Sequence, residues 1–138
     1  MENNLKGTNG EKITEAKEEL KKYFSLQYDK AVMFSKFIDE VWHDLIENSP
    51  EEYNALSTSA CGMIVSHVAV ANHGKPTEEI LWINEYENRF GKLPPIWFMD
   101  EEGNIDEDIY NEYKKSGRVI IHQNSLLGRT TCDCRFAK

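Results

Sequence analysis

Residues 37–67 read FIDEVWHDLIENSPEEYNALSTSACGMIVSH, and this stretch decides the fold. Phe34, Phe37, Ile38, Val41, Trp42, Leu45 and Ile46 recur at spacings of three and four, the apolar stripe of an amphipathic helix. Asp39, Glu40, Asp44 and Glu47 fall between them and mostly face water. Asn48-Ser49-Pro50 ends the helix, because the residue before proline avoids helical dihedrals while proline suits the first position of the next helix. Ser49 and Glu52 then read as a capping box, and a second helix is expected from about Pro50 to about Val70, with a break possible at Gly62.

Asp39 and His43 are four residues apart and share one face of the first of these helices. A carboxylate in that place can orient an imidazole or share a metal ion with it. His67 can reach the pair if the two helices pack as an antiparallel hairpin, with Cys61 or His73 as further donors. A histidine on the rim of an apolar stripe is also commonly a core-edge residue hydrogen-bonded to a carboxylate. Both readings make Asp39, Trp42, His43 and His67 the candidate binding set, with Asp39, His43 and His67 as the candidate ligands of a divalent transition metal such as zinc.

Working outward, residues 11–26 form an amphipathic helix with Ile13, Ala16, Leu20, Tyr23 and Phe24 on its apolar side, preceded by a polar leader over 1–10. Asp29 is a plausible N-cap for the central helix. Downstream, Ile80, Ile83, Tyr86 and Phe90 predict a helix over about 76–90, opened by Pro76 and stopped by Gly91. Leu93-Pro94-Pro95-Ile96-Trp97-Phe98-Met99 cannot be helical throughout and reads as an extended strap anchored by Trp97. The acidic run Asp100–Asp108 lacks the ligand register of a calcium loop and reads as a turn before a short helix over 106–116. Arg118–Gln123 is β-prone, a lone strand or an extended tail.

Close to the end of the sequence stands Cys132-Asp133-Cys134-Arg135. Two thiols one residue apart can chelate a soft metal or serve as oxidation or modification targets at an accessible terminus. Arg129 and Arg135 beside them would lower their pKa values.

Composition bounds the rest. The chain has 138 residues, enough for one domain with its own core, and six Phe, six Tyr and three Trp to fill it. A formal net charge of −8 opposes binding to nucleic acid or an anionic membrane. No apolar run approaches the roughly 20 residues of a membrane helix, and MENNLKGTNGEK lacks the apolar centre of a signal peptide. An odd cysteine count with two thiols at the end does not suit a secreted disulfide framework, so the expected compartment is the cytoplasm.

Ile38–Ile46, Tyr53, the Cys61–His67 segment, Tyr86–Gly91 and Trp97 together resemble the glycine-rich domain-containing protein-like family, over about residues 34–98. The likeness is carried by an Asp-x-x-Trp-His segment, a Gly-x-x-x-x-His segment and a Tyr-x-x-x-Phe-Gly segment before a Trp. Leu45 stands where that family often has a second His, and the Cys-x-Cys tail stands where many members carry a glycine-rich one. The resemblance implies a helical domain and points at Asp39, His43, Cys61 and His67; it implies no activity.

These readings converge on an all-α domain of about five helices over 11–121, a Pro-Pro strap and an irregular tail over 122–138. The function expected from them is a non-enzymatic interaction or scaffold module that presents Cys132 and Cys134 to a protein partner. The alternative is a metal-binding protein or metal-dependent enzyme built on Asp39, His43 and His67. No serine-nucleophile elbow, phosphate loop or dinucleotide fingerprint is present.

Overall fold

The computed structural model describes residues 2–69, 76–127 and 132–136. Five α-helices and four strands follow in the order α1 (Glu2–Ser25), α2 (Lys36–Asn48), α3 (Pro50–Cys61), β1 (Val65–Ala69), β2 (Thr77–Glu79), α4 (Ile83–Phe90), α5 (Glu107–Ser116), β3 (Ile120–His122) and β4 (Cys132–Phe136). A 3-10 turn over Pro95–Phe98 joins α4 to α5. α1 therefore takes in most of the stretch that the sequence reading treats as a leader. Among the described residues no helix is long and apolar enough to cross a membrane.

The all-α expectation is corrected by two small antiparallel sheets, β1 with β4 and β2 with β3. The second central helix stops at Gly62, whose φ of 81° is a left-handed C-cap conformation, and the chain leaves it as strand β1. The predicted helix over 76–90 is replaced by β2 at its start and is helical only from Ile83. Arg118 fastens β2 to the segment before β3 through two bonds of 2.9 Å to the Glu79 carboxylate. The predicted irregular tail contains β4. That strand pairs with β1 in the register Val65↔Phe136, His67↔Cys134 and Ala69↔Cys132. Its other edge meets residues 30–33: Lys30 N–H donates to the Cys134 carbonyl at 2.8 Å and Met33 N–H to the Cys132 carbonyl at 3.1 Å. β4 thus lies between two backbone partners, and its first three residues are buried.

Capping differs from the expectation as well. The N-cap of α2 is Ser35, whose Oγ accepts from Ile38 N–H at 3.1 Å and donates to the Ile96 carbonyl at 3.0 Å. Asp29 instead accepts the Phe136 N–H at 3.0 Å and so helps to seat β4. Ser49 makes no side-chain cap bond, and Glu52 pairs with Lys17 across to α1 at 2.8 Å.

The core is aromatic. Trp42, Trp82, Trp97, Tyr23 and Phe34 are fully buried, and Tyr23 touches all three indoles at centroid distances of 5.2–5.8 Å. The Pro-Pro strap expected to be extended is instead a 3-10 turn over Pro95–Phe98, with Trp97 buried within it. The Trp97 Nε1–H donates at 2.9 Å to the buried carboxylate of Glu19, which also accepts from Tyr86 Oη–H at 2.5 Å. Each indole of this core has its polar atom satisfied, which is what permits full burial. α2 lies across this core with its Asp39/His43 face turned to the β1–β4 sheet.

Candidate metal centre

Asp39 and His43 occupy successive turns of α2, as their spacing predicts. His67 is the middle residue of β1. Its placement against α2 is set by a relay of hydrogen bonds. Trp42 Nε1–H donates to Tyr53 Oη at 3.1 Å, and Tyr53 Oη–H donates to the Val65 carbonyl. The relay ties α2, through α3, to the start of β1. The His67 ring then stands edge-on to Trp42 with centroids 4.3 Å apart. Trp42 is the wall behind the site and has no surface to offer a ligand.

All the donors converge on the Asp39 carboxylate. His67 Nε2 lies 3.1 Å from Oδ1. Cys132 Sγ lies 2.8 Å from the same oxygen. His43 Nε2 lies 3.5 Å from the other oxygen, Oδ2, and the His43 ring rests on the His67 ring at 4.2 Å between centroids. Oxygen, nitrogen and sulfur donors of Asp39, His67 and Cys132 all fall within 4.8 Å of one another.

Cys132 is the member the sequence reading assigns to a separate tail. In β4, residues two apart face the same way, and the register sets Cys134 opposite His67 and Cys132 diagonal to it. The only sequence signal for this is the Cys-x-Cys spacing, which is also strand alternation. Cys134 does not join the cluster; its Sγ points to the Tyr28 carbonyl at 3.4 Å. Cys61 faces the Ser57 and Met63 carbonyls at 3.5 and 3.6 Å. His73 and Arg129 lie outside the described residues.

The electrostatics follow from burial. Burial and the neighbouring Asp39 carboxylate push the Cys132 thiol far above its ordinary value, so without a cation it remains S–H and donates to Asp39. Burial alone would raise Asp39. The hydrogen bonds from His67 and Cys132 and the charge of the two histidines outweigh it and hold the carboxyl below its usual range. Burial also pushes Cys134 up to about 11. The expectation of thiols activated by arginine is therefore corrected: the Arg135 guanidinium is engaged by Asp133 at 2.8 Å.

Chemically, this is a mixed carboxylate, imidazole and thiol set. Around a zinc ion with bonds of about 2.0–2.3 Å, tetrahedral donors sit roughly 3.3–3.7 Å apart, so the observed 2.8 and 3.1 Å need only small adjustments. A cation held here would displace the Cys132 thiol proton, and His67 would meet it through Nε2 as a neutral imidazole with its proton on Nδ1. A separate groove of about 440 Å³, floored by Ile13, Phe37 and Val41 and rimmed by Glu40, Asp44, Glu101 and Glu102, opens on another face of α2 and shares no residue with this cluster.

Compared with protein-family models, curated proteins and solved structures, the chain finds no match.

Proposed function

We propose that this chain is a metal-binding protein that holds one divalent transition ion, zinc by preference, between Asp39, His67 and Cys132. The observation that carries the reading is the convergence of three donor types, from positions 39, 67 and 132, within 4.8 Å. The donor set selects the metal. Magnesium and calcium take all-oxygen shells, and copper(I) favours sulfur, whereas zinc accepts oxygen, nitrogen and sulfur together. His43 supports the site from outside, through the second oxygen of Asp39. The resemblance to the glycine-rich domain-containing protein-like family belongs to this proposal, since its two histidine segments supply Asp39, His43 and His67. So does the cytoplasm, because a reducing compartment keeps a ligating sulfur from oxidation.

The scaffold reading depends on a tail presented to a partner. Both thiols of β4 are buried, so we assign the strand a different part: it delivers a ligand.

The test is competition for zinc against a chromophoric chelator. The unaltered chain is expected to withhold one equivalent. His67→Ala, Cys132→Ser and Asp39→Asn should each weaken binding by at least about 100-fold, the upper end of what even outer contacts cost, while far-UV circular dichroism stays unchanged. Three folded variants that hold zinc as tightly as the parent would remove the reading.

A further inference from the structure

We infer that this centre keeps an open fourth coordination position that takes a neutral oxygen or nitrogen donor from solution. The inference rests on the three-ligand reading above and adds what the ion does there. Structural zinc sites close with four protein ligands, whereas sites with three protein ligands leave one position for water or substrate. Among the described residues, Asp39, His67 and Cys132 are the three donors brought within ligating distance of one another.

His43 is the next donor beside the set, and its geometry assigns it another part. Its Nε2 faces Oδ2 of Asp39, the oxygen that neither His67 nor Cys132 touches. That is the place of an outer partner that orients a ligating carboxylate, so that among the described residues His43 leaves the ion's fourth side open.

Exposure gives the direction of access. Cys132 is 2% exposed, the His67 side chain 12%, the Asp39 side chain 18% and the His43 side chain 46%. The sulfur forms the floor, and the site opens to water along the His43 side of α2.

Charge gives the class of ligand. A carboxylate and a thiolate neutralise a divalent ion, so the loaded centre carries no net charge, inside a chain whose formal charge is −8. Such a centre gains little from an incoming anion, and the surrounding field repels one. Water, an alcohol hydroxyl, a carbonyl oxygen or an imidazole nitrogen meets no such penalty. Once bound, a hydroxyl or carbonyl would be polarised by the ion.

The experiment uses cobalt(II) as the probe, because its visible bands report its ligands. The full chain is loaded to one equivalent and titrated with imidazole and, separately, with azide, with retention of cobalt checked by gel filtration. A saturable one-to-one shift of the bands with imidazole, reached at lower concentration than any shift with azide, is the expected result. His43→Ala should bind cobalt about 10–100-fold more weakly and still show the imidazole shift. Bands unmoved by both ligands would overturn the inference, since a protein donor would then fill the position; so would an imidazole response seen only in His43→Ala, or a stronger response to azide. Failure of cobalt to bind at all would instead strike the metal reading on which the inference stands.

Discussion

A single carboxylate, Asp39, gathers the site: two donors meet on one of its oxygens and His43 faces the other. Half of that arrangement is legible in the sequence. The i, i+4 spacing sets Asp39 and His43 on one helical face, and His67 is a reasonable third member. Cys132 is not legible, because it stands 93 residues from Asp39 and is brought to it by the β1–β4 pairing, which no local pattern encodes. The supporting shell has its own residue-scale prediction. Tyr53 Oη accepts from Trp42 and donates to the Val65 carbonyl, and all three groups are buried. Tyr53→Phe strands an indole N–H and a carbonyl, so it should cost about 2–6 kcal/mol in urea unfolding, from penalties of roughly 1–3 kcal/mol per orphaned group. It should also loosen the placement of His67 and weaken zinc binding. A variant as stable as the parent would mean that the relay does not hold β1 to α2.

At the scale of elements, the helices with clear apolar stripes were readable and the strands were not. α5 sits close to where periodicity and its glycine stop put it, whereas α2 ends where Ser49-Pro50 predicts but starts at Ser35 and not at Asp29. β1 hides behind a helix that the eye extends past Gly62, and β2 begins at a Pro-Thr pair that imitates a helix start. β4 looks like a frayed end because its partners, residues 65–69 and 30–33, are remote in sequence. Yet it is flanked by backbone on both sides. Truncation after Leu127 should therefore do more than remove two thiols. It would leave the backbone groups of β1 and of residues 30–33 unpaired beside an apolar core. Loss of a cooperative urea transition and early aggregation are the expected outcomes. A truncated chain that unfolds cooperatively at the parent's midpoint would show β4 to be an accessory.

Across the whole molecule, the buried hydroxyls make a pH prediction. Burial raises Tyr53 to about 12. Tyr86 and Tyr113 are raised further, by burial first and then by their bonds to the Glu19 and Glu87 carboxylates. In the unfolded chain each ionises near its ordinary value of about 10. Below that value both states are protonated and these groups leave stability unchanged. Above it the unfolded chain loses protons that the folded chain keeps, so stability falls as pH rises. Each tyrosine contributes up to about 1.4 kcal/mol per pH unit until its folded value is passed. The urea midpoint should drop clearly between pH 9 and pH 11; an unchanged midpoint would contradict the burial of these hydroxyls.

The central claim, that Asp39, His67 and Cys132 hold an ion, is tested most directly by elemental mass spectrometry. The full chain would be purified without a metal-affinity tag and dialysed extensively before measurement. The account predicts close to one zinc, or one other divalent transition metal, per chain, and its loss in Cys132→Ser. A parent chain that emerges free of transition metal, and stays free after incubation with excess zinc and a second dialysis, would contradict it.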